Sequence, residues 1–256
     1  TSGKTGIRSS LEIGLFDSGV GGLTVAREIM RQIPNERIVY FGDTARVPYG
    51  SKSKDNIIKF SRQIIRFLQT ENVKAIVIAC NTASALALDE MQQEFDLPIL
   101  GVVKPGAKVA VETTANKRIG LIGTEANIRS GVYTRYIKSL DDEAKVFEKA
   151  CPLFVPLVEE GWLHDDITLQ VASRYLEELK EKDIDTLIMG CTHYPLIRST
   201  IRKVMGDKVN LVNPAYETAI ELKNLLERDN LANKCDVDSP SSMYRFYVSD
   251  AEEKFK

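Results

Sequence analysis

Ile76-Val77-Ile78-Ala79-Cys80-Asn81-Thr82 and Leu187-Ile188-Met189-Gly190-Cys191-Thr192-His193 follow one pattern: a short apolar run, a small residue, a cysteine, then hydrogen-bonding side chains. A second pair, Ile13-Gly14-Leu15-Phe16 and Ile119-Gly120-Leu121-Ile122, precedes them in the same order and at nearly the same offset. An apolar strand followed by glycine recurs widely, but the matched cysteines argue against coincidence. The chain therefore reads as two similar halves.

Outward from these stretches, short runs rich in Ile, Val and Leu recur as strand candidates. They are Ile13–Phe16, Ile38–Phe41, Ala75–Ala79, Pro98–Val102, Ile119–Ile122, Val146–Lys149, Thr186–Met189, Val209–Val212 and Tyr244–Val248. Between them apolar residues fall at helical spacing: Ile57, Ile58, Ile64, Ile65 and Leu68, then Ala85, Leu86, Leu88 and Met91, and later Val171, Tyr175 and Leu179. Strand alternating with helix predicts βαβ units and mostly parallel sheets. The expectation is an α/β protein of two similar three-layer domains with mostly parallel sheets, pseudo-twofold related. The helical pattern after Pro214 (Ala219, Leu222, Leu225, Leu226) and the strand Tyr244–Val248 are expected to return to the first half. That places 11–103 plus 214–256 in the first domain and 104–213 in the second. Residues 1–10, polar and rich in Gly and Ser, read as a leader or expression remnant outside the fold.

With 43% hydrophobic residues in 256, the chain can fill real cores without staples or metals. The 34 basic and 36 acidic side chains leave a net charge of −2. No basic patch of the kind nucleic acid or an anionic membrane requires follows from that balance, so the partner is small or another protein. The apolar runs are too short to span a bilayer. Four widely spaced cysteines, at 80, 151, 191 and 235, fit free thiols in a reducing, cytoplasmic setting.

In parallel α/β sheets, ligands gather at the carboxyl ends of strands. Cys80 and Cys191 both stand there, and a cysteine opening a helix gains from the dipole and free N–H groups, which favour thiolate. Two such cysteines in matching contexts invite one chemistry in particular. Inverting an sp³ carbon requires proton removal on one face and proton return on the other, and a pair of similar groups does this reversibly. Thiols suit the task because an ordinary pKa of about 8.5 can be brought towards working pH by a charge or dipole.

Asp17, in Leu15-Phe16-Asp17-Ser18-Gly19-Val20-Gly21-Gly22, reads either as a cap for the next helix or as a carboxylate assisting the nearby thiol. The glycines after it make neither a dinucleotide fingerprint nor a phosphate loop; they would let backbone N–H groups approach an anionic ligand. His193, two residues after Cys191, can activate that thiol or share its proton. His164, the second histidine, lacks such company and reads as a helix start. Gly42-Asp43-Thr44-Ala45-Arg46-Val47-Pro48-Tyr49-Gly50 reads as a rigid loop at the same sheet edge, where Tyr49 and the Gly50 amide could contact ligand. Cys151 and Cys235 have no matching partners and read as structural.

Taken together, Asp17-Ser18-Gly19-Val20-Gly21-Gly22, Gly42-Asp43-Thr44-Ala45-Arg46, Pro48-Tyr49-Gly50, Ala79-Cys80-Asn81-Thr82-Ala83 and Gly190-Cys191-Thr192-His193-Tyr194-Pro195 resemble the bacterial glutamate racemases, from about Ile13 to Phe246. The resemblance implies interconversion of L- and D-glutamate without a cofactor, supplying D-glutamate for peptidoglycan. It implies Cys80 and Cys191 as catalytic thiols, Cys80 taking the proton from D-glutamate and Cys191 from L-glutamate, with Asp17 and His193 assisting. It implies an active site at the domain interface, a substrate held by Asp17, Ser18, Tyr49, Gly50, Asn81, Thr82, Thr192 and His193, and a homodimer. Lys104 departs from the family pattern, and the C-terminal helix usual in the family is expected to be missing. An aspartate or related racemase of the same superfamily is the nearest alternative. A zinc site built on Cys80, Cys191, His193 and Asp17 is a reading from another class, though close Cys-x-x-Cys spacing is lacking. A redox disulfide and a pyridoxal-phosphate enzyme are weaker still: the thiols need a gap for substrate, and no lysine stands in an evident pocket context.

Overall fold

A computed structural model describes residues 10–234 and 244–250. Most of the proposed leader segment, 1–9, and Cys235 lie outside the described residues. By contact, the chain divides into two compact units: one holds the described residues up to Val102 together with those from Ala215, the other is Val103–Pro214.

The first unit is built on five parallel strands: β1 (Glu12–Asp17), β2 (Ile38–Gly42), β3 (Val73–Ile78), β4 (Ile99–Gly101) and β9 (Tyr244–Val248). They lie in the order β4-β3-β1-β2-β9. Its helices are α1 (Leu23–Gln32), α2 (Lys54–Thr70), α3 (Asn81–Glu94) and α10 (Pro214–Arg228). Successive side chains of a strand point to opposite faces, and the two cores divide on that basis. Ile13, Leu15, Ile38, Tyr40, Ala75 and Val77 meet Val25 and Ile29 of α1 and Ala219, Leu222 and Leu226 of α10. Phe16, Val39, Ile76 and Ile78 meet Ile57, Ile64, Ile65 and Leu68 of α2 and Ala83, Ala87, Leu88 and Met91 of α3. A sheet covered on both faces explains why its strands read as continuous apolar runs rather than as alternation. Each fully buried Ile or Leu here is worth about 1.5–3 kcal/mol relative to exposure.

The second unit repeats the plan with β5 (Arg118–Gly123), β6 (Lys145–Ala150), β7 (Thr186–Gly190) and β8 (Asn210–Val212), in the order β6-β5-β7-β8. Its helices are α4 (Val103–Thr113), α5 (Glu125–Ser130), α6 (Val132–Leu140), α7 (Phe154–Glu159), α8 (Asp166–Lys180) and α9 (Arg198–Met205). Leu187 and Met189 pack on Ala172, Leu176 and Leu179 of α8 and on Ile201 and Met205 of α9. Helix α4 lies against β7 and β8 and packs on α6. Numbered within its own unit, each sheet contains the run second-first-third-fourth, to which the first sheet adds β9 beside its second strand, so the sequence echo is an echo of topology.

Two local readings are adjusted by the structure. In α3 the inward residues are Ala83, Ser84, Ala87, Leu88 and Met91, and Ala85 and Leu86 are only half-buried. The first turn of that helix is enclosed on all sides, so apolar spacing marks its inner face poorly. His164 precedes a helix without starting it: Asp165 caps α8, its carboxylate accepting from the Ile167 N–H at 2.8 Å. Lys104 is exposed, with its ammonium 5.9 Å from the Tyr136 ring centroid. Among the described residues no helix is long and apolar enough to cross a membrane.

Candidate active site

In each sheet the first strand lies between the second and the third, so the chain changes direction between β1 and β3 and again between β5 and β7. The carboxyl ends of strands at such a switch leave a crevice that helices do not cover, the usual ligand position in this architecture. Asp17 ends β1 and Cys80 follows β3; Cys191 follows β7 beside the end of β5. Every residue predicted to act or bind falls at one of these two edges: Asp17, Ser18, Tyr49, Gly50, Cys80, Asn81 and Thr82 in the first unit, Cys191, Thr192 and His193 in the second.

In the first unit Asp17 is fully buried. Its Oδ2 accepts from the Gly19 N–H at 3.1 Å and the Gly22 N–H at 3.0 Å. Two amides of the glycine loop, those of Gly19 and Gly22, are thus turned towards Asp17. The carboxylate fastens the loop, and the N-cap of α1 is Gly22. A Cβ at Gly22 would stand 2.4 Å from the Asp17 Cβ, so only glycine permits this approach.

Cys80 caps α3, and its Sγ accepts from the Ala83 N–H at 3.5 Å. An N–H and a helix N-terminus directed at sulfur favour the thiolate. Asn81 and Thr82 continue the buried first turn. Tyr49 lies in the same apolar cluster as Cys80. Burial, followed by the Asp43 carboxylate, pushes the Tyr49 phenol far above its ordinary range. The group beside Cys80 therefore stays neutral.

The second thiol is supported differently. Cys191 is followed by a 3-10 turn, Tyr194–Ile197, instead of a full α-helix. Its Sγ lies 3.8 Å from His193 Nδ1, and His193 Nε2 lies 2.6 Å from Glu159 Oε1. Thiol, imidazole and carboxylate form a chain along which a proton can be held or passed. Glu159, at the end of α7, escaped the sequence reading; no local spacing links it to a histidine 34 positions away. Tyr133 and Tyr194 are buried near Cys191, and burial first, then the thiol, pushes both phenols up. A Cβ at Gly190 would meet the Ile122 carbonyl oxygen at 2.6 Å, which ties the residue before Cys191 to glycine. Cys151, also buried, donates from Sγ to the Lys149 carbonyl at 3.7 Å, and burial pushes its thiol up as well. Among the described residues no group of three or more His, Cys, Asp or Glu side chains gathers as a metal would require.

The chain matches the family model described as Asp/Glu/Hydantoin racemase over residues 13–220. It is 46% identical over 243 residues to a glutamate racemase of Geobacter metallireducens, covering 95% of this chain and 89% of that protein. Among solved structures it is similar to the glutamate racemase isoform RacE1 of Bacillus anthracis, with a TM-score of 0.91 and 41% identity, covering 96% of this chain and 91% of that one. It is also similar to the glutamate racemase of Francisella tularensis in complex with D-glutamate, with a TM-score of 0.89, 40% identity and the same coverage. Sheet order, paired cysteines and these likenesses agree: the chain belongs to the Asp/Glu/Hydantoin racemase family.

Proposed function

We propose that this protein is a cofactor-independent glutamate racemase in which Cys80 and Cys191 work as a two-thiol acid–base pair. The observation that carries the reading is the repeated one: two units whose first four strands share one order each place a buried cysteine just after the third strand, at the switch edge. The thiolate on one face of the substrate removes the α-proton, and the thiol on the opposite face delivers its own proton to the carbanion. The product is the enantiomer, and the two sulfurs have exchanged protonation states. Cys80 acts on D-glutamate and Cys191 on L-glutamate. Asp17 assists the first half; His193, oriented by Glu159, assists the second. Ser18, Tyr49, Gly50, Asn81, Thr82 and Thr192 complete the binding set as uncharged groups suited to carboxylates and an ammonium.

Identities of 46% and 41% to glutamate racemases support glutamate over aspartate as substrate. On the same family grounds we assign the enzyme to the cytoplasm, as a homodimer supplying D-glutamate for peptidoglycan. Its domains are 11–103 plus 214–256 and 104–213. Incubation with L-glutamate in deuterated water, with no cofactor added, tests the reading. Equal final amounts of both enantiomers are expected, with deuterium at the α-carbon. Folded protein that neither inverts nor exchanges glutamate would overturn it.

A further inference from the structure

The run Gly42-Asp43-Thr44-Ala45-Arg46 has no part in the chemistry above, yet its aspartate is fully buried at the carboxyl edge of the first sheet. Donors from three places converge on it. Arg46 Nε lies 3.0 Å from Oδ1 and 2.8 Å from Oδ2. The Ser249 hydroxyl, just past β9, donates to Oδ1 at 2.9 Å. The Tyr49 hydroxyl donates to Oδ2. The backbone N–H of Asp43 donates to the Asp17 carbonyl at 3.0 Å.

Two further contacts close a ring around this carboxylate. The Arg46 guanidinium lies over Phe60 at 4.1 Å, and Phe60 packs on Tyr49 with centroids 5.8 Å apart. A turn alone would not need this, since Pro48 and Gly50 already bend the loop. Burying a carboxylate costs several kcal/mol unless its partners are well placed, so such a group is expected where orientation matters. What it orients is Tyr49, 1% exposed and clustered with Cys80.

We propose that Asp43 is a positioning residue for the Cys80 half of the reaction: through the Tyr49 hydroxyl it holds Pro48-Tyr49-Gly50 beside the thiol, and through Ser249 it fastens β9 to that loop. The inference rests on Cys80 acting as a catalytic thiol. Tyr49 then presents a fixed, uncharged wall that neither takes the thiol's proton nor lets the loop drift.

A double-mutant cycle tests it. Asp43→Asn and Tyr49→Phe, each in the full chain, should lower kcat by on the order of tenfold, the loss of one hydrogen bond to a charged group, with KM changed much less. If Asp43 acts through Tyr49, the double variant is about as slow as the slower single variant. Additive losses, near a hundredfold, or a loss confined to KM, would overturn the proposal. A second readout does not depend on racemisation: site-resolved alkylation by iodoacetamide at one fixed pH. Asp43→Asn should change the Cys80 rate several-fold and leave Cys151 slow; an unchanged Cys80 rate also overturns the proposal. Wild-type protein that neither inverts nor exchanges glutamate, while Cys80 alkylation still responds to Asp43→Asn, would refute the racemase reading and spare the positioning. If Asp43→Asn does not fold, Ser249→Ala takes its place in the cycle with Tyr49→Phe, and additive effects count against the proposal in the same way.

Discussion

Changing Glu159 to glutamine preserves the shape of the side chain and removes its charge. Its Oε1 sits 2.6 Å from His193 Nε2, and the opposite imidazole nitrogen faces the Cys191 sulfur at 3.8 Å. His193 is 3% exposed, so an imidazolium formed in the proposed reaction would have little water to stabilise it, and the carboxylate would do so. A hydrogen bond to a charged group contributes about 1.5–3 kcal/mol net. The Glu159 side chain is 37% exposed, and solvent screening lowers the figure to about 1–2 kcal/mol. At one decade per 1.36 kcal/mol, kcat should fall by roughly 5- to 30-fold. Initial rates by circular dichroism, starting from each enantiomer, measure it. Enantiomers have equal free energies, so kcat/KM must fall equally in both directions, and the loss should lie in kcat with KM little changed. His193→Gln should be at least as damaging, and Glu159→Gln added to it should cost less than about twofold. Glu159→Gln within twofold of wild type would refute the thiol–imidazole–carboxylate chain.

Cys80→Ser should abolish α-deuterium exchange starting from D-glutamate, and Cys191→Ser should do so from L-glutamate; if neither loses exchange, the thiols are core residues. Gly22→Ala, which sets a methyl 2.4 Å from the Asp17 Cβ, should destabilise the protein by about 1–3 kcal/mol and slow turnover; an unchanged melting temperature would contradict the close approach. Glu36→Gln leaves the Lys74 ammonium, 2.6 Å away and buried with it, without its carboxylate, so roughly 3–5 kcal/mol of stability should go; a smaller loss in urea titration would mean that water reaches the pair. Burial holds the Cys151 thiol protonated well into the alkaline range, so its alkylation should stay slow as pH rises through 8.5, the ordinary thiol midpoint; rapid labelling there would contradict its burial.

The strands could be located in the sequence because parallel sheets covered on both faces write themselves as apolar runs, as in Ala75–Ile78 and Leu187–Met189. The cysteine pair was legible for a related reason: both follow the same strand of the same topology. Helices α5 and α7, of six residues each, are too short to carry a periodicity and left no trace. The supports of the site were hidden by distance along the chain. Glu159 meets His193, and Ser249 meets Asp43, only once folding has brought separate elements to one edge. The glycines of the Asp17 loop were visible, but that the Gly19 and Gly22 N–H groups turn back to the loop's own carboxylate depends on backbone direction, which composition does not record.

The interleaving of the two units bears on how the chain is made. Val103–Pro214 is one uninterrupted stretch and can close its four-stranded sheet as soon as it has left the ribosome. The sheet begun first is finished last, because β2 pairs on its outer side with β9, and Asp43 waits for a serine 206 positions downstream. Throughout that interval Ile38–Gly42 shows nascent-chain neighbours an open row of backbone donors and acceptors. Slow translation of the last stretch, or its truncation, would therefore expose the polysome to edge-to-edge sticking through the first half of the protein and not through the second.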